Sequence, residues 1–76
     1  MDRDILERQL TKAEEQVVIS AQNVARQREL VAELEQAGYY ASQAKKMLEQ
    51  FLEQQALHVA DREGLIKELS ELPSSL

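Results

Sequence analysis

The sequence predicts an all-α protein, an antiparallel two-helix hairpin of coiled-coil type that dimerises into a four-helix bundle. Three observations carry that expectation. Strong helix formers dominate: Ala, Leu, Glu, Gln, Lys and Arg, whose side chains lose little freedom on a helix. Apolar residues recur on a heptad spacing through two long stretches. The few breakers fall at the ends of those stretches, with only two glycines and one proline in 76 residues.

The first stretch reads as a helix over about 3–37. Leu10, Val17, Val24 and Val31 are spaced by seven. Leu6, Ala13, Ser20, Gln27 and Leu34 form the companion row. Gly38 follows, and a residue free to adopt positive φ ends a helix there.

The connector 38–41 is short, so the two helices are antiparallel neighbours. The second helix is expected over about 42–72, with Ser42 as its N-cap. Its start stays open, because Tyr39 and Tyr40 are compatible with helix; the tyrosines are expected to close over the hairpin end. Pro73 stops the helix and leaves 73–76 as a short tail. Gly64 is an internal glycine whose flanking pattern continues through it. Here the rows are Ala44, Phe51, His58, Leu65, Leu72 and Ala41, Leu48, Gln55, Arg62, Leu69.

Equal rise along both helices pairs residue i with roughly residue 79 − i. Leu34 and Val31 then meet Ala44 and Leu48, and Leu10 and Leu6 meet Leu69 and Leu72. Ser20 falls near His58, Val24 near Gln55 and Val17 near Arg62. The seam is thus apolar at both ends and polar in the middle. Its layer of Ser20, Gln27, Gln55, His58 and Arg62 is expected to hydrogen-bond across the helices and penalise slipped registers. His58 in that layer is also a candidate pH-responsive group.

The apolar face is wider than one seam. Leu52, Val59 and Ile66 make a third heptad row beside Phe51, His58 and Leu65. Val18, Ile19, Ala25, Leu30 and Ala32 also lie off the main rows of helix 1. A stripe of this width suits a helix that touches two neighbours. The expectation is a homodimer, with a protein hetero-partner as the competing use of the same surface.

Composition and motifs weigh against several functions. Nine Lys and Arg against 14 Asp and Glu give a net charge of −5, spread evenly along the chain. Phosphate contacts drive most nucleic-acid affinity, so an acidic surface disfavours DNA or RNA. A small regulatory nucleic-acid binder remains the alternative. No cysteine is present, which removes disulfides, thiolate zinc sites and cysteine nucleophiles. The opening "MDRDILERQL" lacks an apolar segment of secretory type. The longest wholly apolar run is "VVI" at 17–19, far below a membrane span, so the expected compartment is the cytoplasm.

His58 invites a metal or catalytic reading. Bundle metal sites use Glu-x-x-His on facing helices, and here the residue three before His58 is the neutral Gln55. His58 with Ser20 lacks an orienting carboxylate on the seam, an oxyanion hole and, in so slim an architecture, a pocket. The expectation is a non-enzymatic module with no metal, cofactor or small-molecule substrate, which recognises itself or a protein partner. Lys45 and Lys46, poorly placed for the helix dipole, are expected to answer Glu33 and Glu35 across the turn.

"ARQRELVAELEQAG" (25–38) followed by "ALHVADREGL" (56–65) resembles a group of short, uncharacterised alphaproteobacterial helical-hairpin proteins. The resemblance spans about Leu6 to Leu69 and implies no activity or site residue. The chain departs from the group at "YYAS", where polar capping residues are expected. The proposed architecture is also similar to that of the dimeric RNA-binding hairpins of plasmid copy control, although the acidic surface speaks against their function.

Overall fold

The computed structural model describes residues 2–73. They form two helices, α1 (Arg3–Gln36) and α2 (Ser42–Glu71), packed against each other along a rod of 64 × 14 × 13 Å. Among the described residues there is no strand.

The start of α1 follows from its first turn. Asp2 is the N-cap, in extended conformation, and its carbonyl accepts the Leu6 N–H at 3.0 Å. Asp4 places a negative charge near the positive end of the helix dipole. The helix then runs for 34 residues without interruption.

Gly38 ends α1 with φ +81. The Tyr39 N–H donates to the Leu34 carbonyl at 2.9 Å, and the Gly38 N–H donates to the Glu35 carbonyl at 3.1 Å. These two bonds make a Schellman motif and satisfy carbonyls that the helix end leaves free.

Two expectations about the turn are overturned. The N-cap of α2 is Ala41, with no side-chain cap, and Ser42 is already helical. The Ala41 carbonyl accepts the Lys45 N–H at 2.8 Å while its methyl is buried against Val31 and Ala44. Packing therefore sets the start of α2, and no hydroxyl cap is used. Nor do the tyrosines close the end: Tyr39 is 70% and Tyr40 99% exposed. The left-handed glycine turns the chain so that the small Ala41 returns to the core.

Next to the turn the expected contact set forms, Leu34 and Val31 with Ala44 and Leu48, but the detailed register differs from the simple pairing. Val31 packs with Ala41 and Ala44, flanked by Leu34 and Leu48, and Gln27 reaches the Ala44 carbonyl. Further down, His58 shares a groove with Ala13 and Gln16, and Ser20 is not among that groove's residues. Glu35 meets Lys45 close to the simple pairing, but the other partners on α1 lie about one to two turns nearer the N-terminus than equal pairing from the turn predicts. The connector explains the offset. Non-helical residues advance up to about 3.3 Å each against 1.5 Å in a helix. Residues 37–41 thus run back beside the last turn of α1 before α2 begins.

Both helices bury the heptad rows. On α1, Leu6, Ala13, Ser20, Val24, Gln27 and Val31 are buried, while Leu10, Val17 and Leu34 are half-buried. On α2, Ala41 and Ala44 are buried, and Leu48, Phe51, Gln55, His58, Arg62, Leu65, Leu69 and Leu72 are half-buried. Leu6, 1% exposed, seals the end away from the turn. The helices share one seam, so half of each side chain at most faces solvent and the core stays thin. Gly64 is simply absorbed within α2.

Candidate interaction surfaces

The seam fixes which residues remain on the outside. The offset register breaks up the expected polar layer. Among the described residues Gln27 alone of that layer bonds across the seam, its Nε2 donating to the Ala44 carbonyl at 3.0 Å. The Ser20 hydroxyl turns back to the Val17 carbonyl of its own helix at 2.8 Å. Arg62 turns to its neighbour, Nη2 donating to Glu63 Oε1 at 2.9 Å, and its buried Nε finds no partner among the described residues. Gln55 and His58 have no side-chain hydrogen bond among the described residues.

A shallow groove does exist at His58, contrary to the expectation of none. Gln9, Lys12, Ala13 and Gln16 from α1 line it with His58, Asp61 and Leu65 from α2, around a volume of about 370 Å³. The small Ala13 leaves this space open. Asp61 borders it too. Lys12 and Asp61 carry opposite charge, Gln9 and Gln16 are neutral amides, and His58 contributes an imidazole. Among the described residues no three His, Asp or Glu side chains gather as a metal site.

The two flanks of the hairpin differ. An ion pair identifies one of them: Lys45 Nζ lies 3.1 Å from Glu35 Oε2. That pair is the expected answer to the unfavourable lysine at the start of α2. Stepping by sevens from Glu35 gives Arg28, Ala21 and Glu14 on α1. Stepping from Lys45 gives Leu52, Val59 and Ile66 on α2. The two rows therefore border the same side of the rod. Leu52 is 36% and Ile66 44% exposed, and Val59 is half-buried. Val18 and Ala25, one turn-edge further round α1, are exposed beside them.

The opposite flank carries the His58 groove and, nearer the turn, a second groove. There Gln27, Leu30 and Leu34 face Ala44 and Met47, with Tyr40 at the tip. Leu30 and Met47 are exposed. A third shallow depression on the outside of α1 holds Val18 and Ile19 between Thr11, Glu14, Glu15 and Gln22. Sequence reasoning had singled out Leu30, Val18 and Ile19 but not Met47, whose place seven before Gln54 interrupts no apolar row.

The fold and its surfaces define an antiparallel helical hairpin with exposed apolar residues on both flanks, in a heptad row on the Lys45–Glu35 side and as Leu30 and Met47 on the other. In comparison with known proteins, the chain matches no family model, no curated protein and no solved structure. No helix among the described residues is long and apolar enough to cross a membrane.

Proposed function

We propose that this hairpin is a non-enzymatic interaction module that self-associates as a dimer, forming a four-helix bundle. The observation that carries the reading is the Leu52, Val59 and Ile66 row. It keeps heptad spacing over two full heptads, yet the hairpin leaves it without a partner helix. A periodic apolar row that faces water is explained by a surface that covers it.

The available area suits a second hairpin. A flank about 45 Å long and two helices of about 10 Å wide offers roughly 900 Å² per copy, close to the ~800 Å² that each side of a standard interface buries. The thin seam supports the same reading, since two hairpins face to face complete a core that one provides only in part.

Sedimentation velocity across micromolar concentrations tests the proposal. The expected result is a dimer that Leu52→Glu with Val59→Glu converts to monomer, with lower helicity by far-UV circular dichroism. A wild-type monomer at all concentrations would refute it. A shift of labelled RNA or DNA at moderate salt would redirect the assignment to nucleic acid.

A further inference from the structure

Resting on the self-association proposed above, we infer that the second copy packs with α1 antiparallel to its own counterpart, about a twofold axis passing beside Ala21. The argument comes from the α1 row that shares a flank with Leu52, Val59 and Ile66. Counted outward from Ala21, the row reads Glu14 in one direction and Arg28 in the other, each seven residues away. All three residues are exposed, and neither Glu14 nor Arg28 has an ion-pair partner among the described residues.

A twofold axis across the helix converts that internal antisymmetry into contacts. Glu14 of one copy meets Arg28 of the other, twice, because an isologous interface repeats every contact. The neighbouring row reverses about a centre half a residue further on: Val18 comes opposite Ala25, and Thr11 opposite Ala32. Apolar or small residues thus meet around the centre and opposite charges meet seven residues out; fourteen residues out Glu7 faces Glu35, each already paired within its own hairpin, to Arg3 and to Lys45. Ala21 at the axis lets the backbones approach closely. In the observed register the same axis crosses α2 close to Leu52, so Leu52 meets its own copy there, while Val59 falls beside Lys45 of the second copy and Ile66 lies at the edge of the overlap. A head-to-head parallel arrangement would instead oppose Glu14 with Glu14 and Arg28 with Arg28.

The natural chain has no cysteine, so single thiols report on the geometry cleanly. Ala21→Cys places two thiols beside the axis, within reach of a short bismaleimide. Ala32→Cys places them about 33 Å apart, from eleven residues of rise on each side of the axis. Efficient cross-linking at Ala21 and little at Ala32 is expected. Glu14→Arg and Arg28→Glu should each weaken the dimer roughly tenfold, and the two together should restore it. Both side chains are exposed and unpaired in the hairpin, so helicity at high concentration should stay unchanged. If wild type is a dimer but the double reversal fails to rescue, or Ala32→Cys links as well as Ala21→Cys, this arrangement is wrong while self-association stands. If wild type is a monomer, both fall.

Discussion

The Gln27 side-chain amide donates to the Ala44 carbonyl across the seam, at 3.0 Å and out of contact with solvent. The bond exists because Ala44 has no side chain beyond Cβ, which lets a long amide reach the backbone of the facing helix. Polarity and size are complementary at one point, so this contact pins the register next to the turn.

The pair predicts an asymmetric response to substitution. Gln27→Leu keeps the volume and should change stability by less than about 1.5 kcal/mol. Ala44→Leu overfills the same place and should cost about 1–3 kcal/mol. Urea titration followed by far-UV circular dichroism measures both. Equal tolerance of the two changes would argue against this contact as the pin.

The two glycines should respond in opposite directions. Gly64 lies inside α2, and a Cβ there meets nothing within 4 Å. Gly64→Ala should stabilise by about 1 kcal/mol, the helix-propensity difference. Gly38 also has space around it but sits at φ +81. Gly38→Ala should therefore cost about 1–2 kcal/mol in backbone strain. Thermal melts of the two variants displaced in the same direction would contradict this account.

Arg62 sits on the seam with its Nε buried and unpartnered. An unsatisfied donor costs more than an apolar replacement of similar reach. Arg62→Leu should raise stability by about 1 kcal/mol, seen as a rise of roughly 4–8 °C in Tm for a domain of this size. A fall in Tm would show that the guanidinium contact with Glu63 matters more than the orphaned N–H.

The Lys45–Glu35 pair marks the flank but should add little stability, since both side chains are more than half exposed. Lys45→Ala is expected to cost less than about 1 kcal/mol, and the loss should shrink further in 1 M salt. A large, salt-resistant loss would mean that the pair is buried in the assembled protein.

Much of this fold is written in the heptad rows. The positions of Leu6 through Leu34 and Ala41 through Leu72 follow from side-chain period, because burying one stripe per helix is the only way each can leave water. The bend at Gly38 is equally legible, since positive φ is cheap for glycine alone. The register was legible only next to the turn, where Leu34 and Val31 meet Ala44 and Leu48 as expected; further down it was not. It depends on how far residues 37–41 travel back along α1, and that distance follows from backbone conformation in the connector. With it went the expected polar layer: Ser20, His58 and Arg62 have the right periodicity to meet but sit at different heights. The exposed row on α2 was visible in the sequence, and the Lys45–Glu35 pair reveals which residues of α1 stand beside it.

The outward-facing tip has a practical consequence. The chain has no tryptophan, so Tyr39 and Tyr40 are its only strong ultraviolet fluorophores. Both already lie in water at the hairpin apex. Their emission should hardly change as the helices melt, and a flat intrinsic-fluorescence trace in denaturant would be compatible with complete unfolding. The same isolation makes them useful in another way: any ligand that settles on the apex would be seen optically without interference from the rest of the molecule.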